Sequence, residues 1–205
     1  MASRSVTAER SSSAGGRRVG RAFFDRPTVA VARALLGVEF WVRGVDGDRG
    51  VRLVETEAYV AGDPASHAFR GPRPRNRSMF LAPGTLYVYR IHQVVCANLV
   101  TRRGEAVLLR AGAPLRPTEG NPSGPGRFCR FLGVQLGDDG IDTVSSRRVL
   151  LRPRAAPTGP VWVGPRVGVS RAGRRRLRFA VRDDPWVSRP KPRGRGRRYR
   201  SFAQL

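Results

Sequence analysis

The sequence is almost without lysine: Lys191 is the only one in 205 residues. Acid is scarce as well, with 15 Asp plus Glu against 39 Lys plus Arg and a formal net charge of +24. The two cysteines, Cys96 and Cys129, are too few for a disulfide framework. No Cys/His cluster has zinc spacing, and neither a metal site nor a cofactor is expected. No run of about 18 apolar residues occurs, which excludes a membrane-spanning helix and leaves no membrane partner expected. No apolar run follows the first basic residues, so no secretory signal is expected, and a reducing cytoplasm fits. What remains is a chain that is 40% hydrophobic, long enough for one domain with a real core. Its sequence pI of about 11.9 points to a polyanion, nucleic acid first. The preference for arginine over lysine also fits a bias in codon usage.

Residues 1–21 are Ser/Gly/Arg-rich and read as a disordered basic arm; residues 189–205 read as a second basic arm. Their charges are +4 (five arginines against Glu9) and +7, which leaves +13 on the domain, residues 22–188. The 24 glycines and 16 prolines favour many turns and short elements. A helix is expected from Asp25, as cap, through Pro27 in its first turn to Gly37 at its end. VEFWVR and GVRLVETEAYV, joined by a turn at Val45–Asp48, read as a hairpin. Residues 60–84 form a long Pro/Gly/Arg/Asn-rich loop, the kind that is usually functional. TLYVYRI, VVCANLV and EAVLLRA read as strands. SGPGRFCRFLG reads as a short helix capped by Ser123 and stopped by Gly133; VLLR, VWV, VGV and LRFAV read as further short strands. The fold class is α+β: a single compact domain, mostly antiparallel curved sheet with flanking short helices.

In GVRLVETEAYV, period-two alternation places Val51, Leu53, Glu55, Glu57 and Tyr59 on one face and Arg52, Val54, Thr56 and Ala58 on the other. Carboxylates on a polyanion-binding chain repel phosphate, so two of them beside a tyrosine call for a chemical reason. The same alternation pairs Tyr87 with Tyr89, a surface on which an unpaired base can stack. A carboxylate beside aromatics in a basic protein suggests chemistry on a base taken out of the helix.

The blocks FFDRPTVAVARALLG, LVETEAYV, DPASHAFRGPRPRNRSMF, PGTLYVYRI, CANLV, AVLLRA, SGPGRFCRFLGV, RVGVS and PWVS together resemble the alkyladenine (3-methyladenine) DNA glycosylase family, over nearly all of residues 22–188. The resemblance implies a fold that is not of the helix-hairpin-helix type. It implies a base-excision-repair enzyme acting as a monomer on double-stranded DNA that contains damaged purines, in the cytoplasm at the nucleoid. By position, it implies that Glu57 activates the attacking water, with Arg110 and a main-chain carbonyl at Val167 helping to hold that water, and that Glu55 is structural. It implies that Tyr59 and His67 enclose the flipped base, that Tyr89 lines its pocket, and that Asn98 at the floor disfavours guanine. Family substrates include 3-methyladenine, 7-methylguanine, hypoxanthine and ethenoadenine.

Two stretches depart from the family pattern. Where the family has an intercalating tyrosine in a Y-G-M-like turn, this chain reads Arg90-Ile91-His92-Gln93-Val94 and is one residue shorter, so His92 or Gln93 takes the place of the DNA wedge. The segment between Ala113-Pro114-Leu115 and SGPG is also shortened. The lone lysine predicts a monofunctional enzyme that leaves an abasic site, because backbone cleavage normally begins with an amine attacking the sugar. The alternative is a noncatalytic nucleic-acid-binding protein that keeps the fold.

Overall fold

The computed structural model describes residues 17–117, 119–155 and 158–192. Eight strands form one antiparallel sheet: β1 (Glu39–Val42), β2 (Arg49–Tyr59), β3 (Leu86–Ile91), β4 (Val94–Val100), β5 (Ala106–Pro114), β6 (Val149–Arg152), β7 (Val161–Gly164) and β8 (Arg178–Val181). The main path runs β3-β4-β5-β2-β1-β6. β2 is the hub. Its first half pairs with β1 and its second half with β8, so the sheet forks along that edge and curls. The helices are short: α1 (Arg21–Phe24), α2 (Thr28–Ala34) and α3 (Pro125–Leu132). No helix-hairpin-helix is present among the described residues, and no described helix is long and apolar enough to cross a membrane.

The core gathers Phe24, Phe40, Phe128, Phe179 and a set of Leu and Val side chains with no exposed surface. Thr56 ties β2 to the helical layer, its hydroxyl donating 2.8 Å to the Ala32 carbonyl on α2.

The alternation along β2 breaks once. Leu53 opposes Gly112, but the next pair is Glu55 with Ala111, and then Thr56 with Leu109. Val54 and Arg110 are thus extra residues, one on each strand, and the two bulges cancel in register. The faces exchange across them. Glu55, Glu57 and Tyr59 share a face with Arg52, whereas Val51 and Leu53 look the other way, with Thr56 and Ala58. The expectation of five residues on one face therefore holds only beyond the bulge.

Other elements differ from the sequence reading for local reasons. Asp25 closes α1 and does not cap a longer helix; α2 begins after Pro27, whose fixed φ opens the turn. Ser123 is bridged to Ala111 on β5, so Gly124 takes the cap of α3, while Gly133 stops it in the left-handed conformation as expected. The loop 60–84 contains a 3-10 segment, Pro74–Phe80. The segment VGV is not a strand.

Of the two arms, residues 1–16 and 193–205 lie outside the described residues. Residues 17–21 and 189–192 pack on the domain. Val19 is buried with its N–H donating to the Leu151 carbonyl, and the Pro190 carbonyl accepts from Arg178.

Candidate active site

The second half of β2 carries two carboxylates with no exposed surface. Glu55 is saturated. Its Oε1 accepts from Arg178 Nε at 2.6 Å, Arg110 Nε at 3.1 Å and the Ser188 hydroxyl at 3.0 Å, and its Oε2 accepts from the Ser188 N–H at 2.6 Å. With every lone pair of Oε1 engaged and two guanidiniums beside it, Glu55 is a structural anion that ties β2, β5, β8 and the 185–188 strap together.

Glu57 is differently placed. Its Oε1 accepts from the Val167 N–H at 2.9 Å and lies 3.3 Å from Arg110 Nη1. Its Oε2 accepts from the Tyr59 hydroxyl at 3.1 Å. Burial pushes the Glu57 pKa above its ordinary value, while Arg110, the Val167 N–H and the Tyr59 hydroxyl pull the other way. The contrast gives the two carboxylates different chemistry: one is locked, and the other is a basic oxygen held in a dry setting. Arg110 reaches both because the bulge on β5 frees it from the ladder.

Beside this pair opens a cavity of about 430 Å³. Tyr59, His67, Tyr89 and Asn98, all singled out in the sequence, line it together. Tyr87 and Tyr89 stack with ring centres 5.3 Å apart, and the His67 ring stands edge-on to Tyr89 at 4.3 Å. The His67 Nδ1 lies 3.0 Å from the Tyr87 hydroxyl, and its carbonyl accepts from Asn76 at 2.8 Å, which fixes the loop behind it. Burial, and then Arg75, lower the His67 pKa, so the ring is neutral at pH 7. Asn98 on β4 donates to the Tyr87 carbonyl at 3.1 Å. The pocket is lined by aromatic rings, with four arginines in its walls: Arg70, Arg73, Arg75 and Arg171.

His92 and Gln93 sit elsewhere. They are the two turn residues of the β3–β4 hairpin, both exposed and both at positive φ (44° and 66°), as a two-residue turn of this hand requires. The neighbouring Ile91, not singled out in the sequence, is 45% exposed and lines the pocket.

The sequence reading also passed over Arg166. It is 5% exposed, makes two bonds to Asp63 and one of 3.1 Å to the Ala58 carbonyl, and its guanidinium stands 4.5 Å from the centre of the Tyr59 ring. It pins the segment that brings Val167 to Glu57. In a chain with dozens of arginines, nothing in the sequence marks Arg166 as one of the buried ones; the only hint is Asp63, an acid in an acid-poor loop.

Arginines around a slot lined by aromatic rings, with a buried carboxylate beside it, are the parts a base-excising enzyme needs, and the family comparison agrees. Residues 22–185 match the family model "Methylpurine-DNA glycosylase (MPG)". The chain belongs to the methylpurine-DNA glycosylase family. The human protein named "DNA-3-methyladenine glycosylase" is 41% identical over 204 residues, covering 83% of this chain and 68% of its own. An Agrobacterium fabrum protein named "Putative 3-methyladenine DNA glycosylase" is also 41% identical, covering 83% and 92%. A Rhizobium etli protein of the same name is 38% identical, covering 83% and 88%. As a methylpurine-DNA glycosylase the chain is a DNA-binding enzyme of DNA repair that hydrolyses N-glycosyl bonds.

Proposed function

We propose that this glycosylase flips alkylated or deaminated purines (3-methyladenine, 7-methylguanine, hypoxanthine, ethenoadenine) from double-stranded DNA into the aromatic slot and hydrolyses their N-glycosidic bond with a water activated by Glu57. The reading rests on one observation: Glu57 is buried beside that slot, held by Arg110, the Val167 N–H and the Tyr59 hydroxyl. Among the described residues its Oε2 accepts only from Tyr59, which leaves a lone pair for a proton of water. As the bond breaks, positive charge grows on the sugar, and the carboxylate stabilises it while taking the proton; the water oxygen bonds to the anomeric carbon and the purine departs with the bonding electrons. Tyr59, His67 and Tyr89 face a purine that N3- or N7-alkylation has made cationic, which aromatic faces attract. Asn98 at the floor disfavours ordinary guanine. The Val167 contact that supports this reading runs through its N–H; a carbonyl role toward the water is part of the proposal.

The hairpin tip, Ile91 with His92 and Gln93, serves as the wedge that fills the gap left by the flipped base; apolar side chains are suited to that insertion. The only lysine lies against the Pro185 carbonyl at 2.7 Å and outside the base pocket, so water is the nucleophile and the product is an abasic site. The enzyme works as a monomer on nucleoid DNA in the cytoplasm.

Release of free base from methylated duplex by wild type and by Glu57→Gln tests the reading. Wild type should release 3-methyladenine and 7-methylguanine, and the variant should be slower by about 10²–10⁴-fold. Equal rates would remove Glu57 from the mechanism. No release by wild type from any modified purine would favour a noncatalytic DNA-binding protein.

A further inference from the structure

Away from the base pocket lies a second depression, about 570 Å³, with Arg127, Arg189, Lys191 and Trp186 in its lining and no Asp or Glu among the residues that form it. Two of its three cations are positioned by main-chain carbonyls. Arg127 Nε donates 2.6 Å to the Ser123 carbonyl, and Lys191 Nζ donates 2.7 Å to the Pro185 carbonyl. A carbonyl orients a cation without cancelling its charge, as a carboxylate would. Among the described residues none of the three pairs with a carboxylate, although Asp183 and Asp184 are close by in sequence; Asp184 is engaged by Arg52 at 2.9 Å.

This depression is connected to the base pocket. Ile91 of the hairpin lines the base pocket, while Gln93 and Val94 on the other side of the turn line a third depression of about 510 Å³ against α3. Arg127 lines that third depression and the second one alike. A path therefore runs from the base slot, across the hairpin tip, past Arg127 and Arg130, to Arg189 and Lys191, and none of the residues lining it is acidic. An isolated anion site has no use for such continuity, whereas a polymer of phosphates lying over the hairpin does.

We infer that Arg127, Arg189 and Lys191 form a second DNA-backbone subsite, taking a phosphodiester of the duplex beyond the hairpin tip. This rests on the reading of the pocket as a DNA site, and its test is independent of catalysis. An undamaged 25-bp duplex is titrated with the full chain across a series of NaCl concentrations. The variants are Arg189→Gln/Lys191→Gln and a control that removes equal charge elsewhere, at the exposed Arg147 and Arg154 (both to Gln). Each lost phosphate contact lowers the slope of log K against log[salt] by about 0.9. The Arg189/Lys191 variant should lose between one and two such steps, adding Arg127→Gln should lose another, and the control should keep the wild-type slope. Equal slopes for the two double variants would overturn the subsite. So would selective displacement of the duplex by inorganic phosphate at constant ionic strength, which would mark a site for free anions. A reduced slope in a protein that releases no base would keep the subsite and remove the catalytic reading; normal base release with an unchanged slope would do the reverse.

Discussion

Tyr59 turns its ring to the base pocket and donates its hydroxyl to Glu57 at 3.1 Å. One side chain thus belongs both to the lining of the pocket and to the hydrogen bonding of the buried Glu57.

Tyr59→Phe separates the two roles. The ring remains, but Glu57 loses a donor that holds its pKa down, so the acid limb of the excision pH profile should move to higher pH with little change in the rate at its plateau. Tyr59→Ala should lower the plateau as well. An acid limb that stays in place in Tyr59→Phe would uncouple the hydroxyl from the reaction.

Glu57 should also be a source of instability. Its folded-state pKa is raised by burial, above the ordinary unfolded value of about 4.3. Between the two values the folded chain holds a proton that the unfolded chain has released, so ionising Glu57 costs stability at neutral pH, and the cost disappears as pH falls through the folded pKa to the unfolded one. Glu57→Gln should melt higher than wild type at pH 7.5, with the gap closing toward pH 4. Thermal denaturation over that range checks it; a lower melting temperature at pH 7.5 would contradict the sign.

The Asp63–Arg166 pair, with no exposed side-chain surface on either partner, makes the third prediction. Arg166→Met strands a buried carboxylate and should cost about 3–5 kcal/mol in denaturant unfolding, and Asp63→Asn should cost a similar amount. Arg166→Met/Asp63→Leu removes both charges and should recover much of the loss. Losses that simply add would show that the pair is not coupled.

These residues also show what the sequence makes legible. Glu57, Tyr59, Tyr87 and Tyr89 announce themselves through period-two spacing, and the hairpin of β1 and β2 through its turn residues. The bulge at Val54 does not, because valine is an ordinary strand residue and only the partner strand reveals the offset. VGV reads as a strand because its side chains alternate, yet the Val167 N–H is spent on Glu57 and not on a neighbouring strand. A local pattern cannot tell where a main-chain donor goes. His92 and Gln93 form the turn of the β3–β4 hairpin, while Ile91 went unnoticed because its exposure beside the pocket depends on how tightly the hairpin turns.

The paired bulges of β2 and β5 have a consequence for how such a sheet tolerates change. Losing a paired residue of β2 past the bulge, such as Thr56, would turn everything beyond it by half a turn, sending Glu57 toward the layer of α2 and Ala58 toward the pocket. Losing the two unpaired residues, Val54 and Arg110, would straighten the ladder with Glu57 still on the pocket face, but would remove the guanidinium that reaches both carboxylates. The bulges are thus spare length in the two strands, and what holds that length in place is Arg110, which grips Glu55 and Glu57 from it.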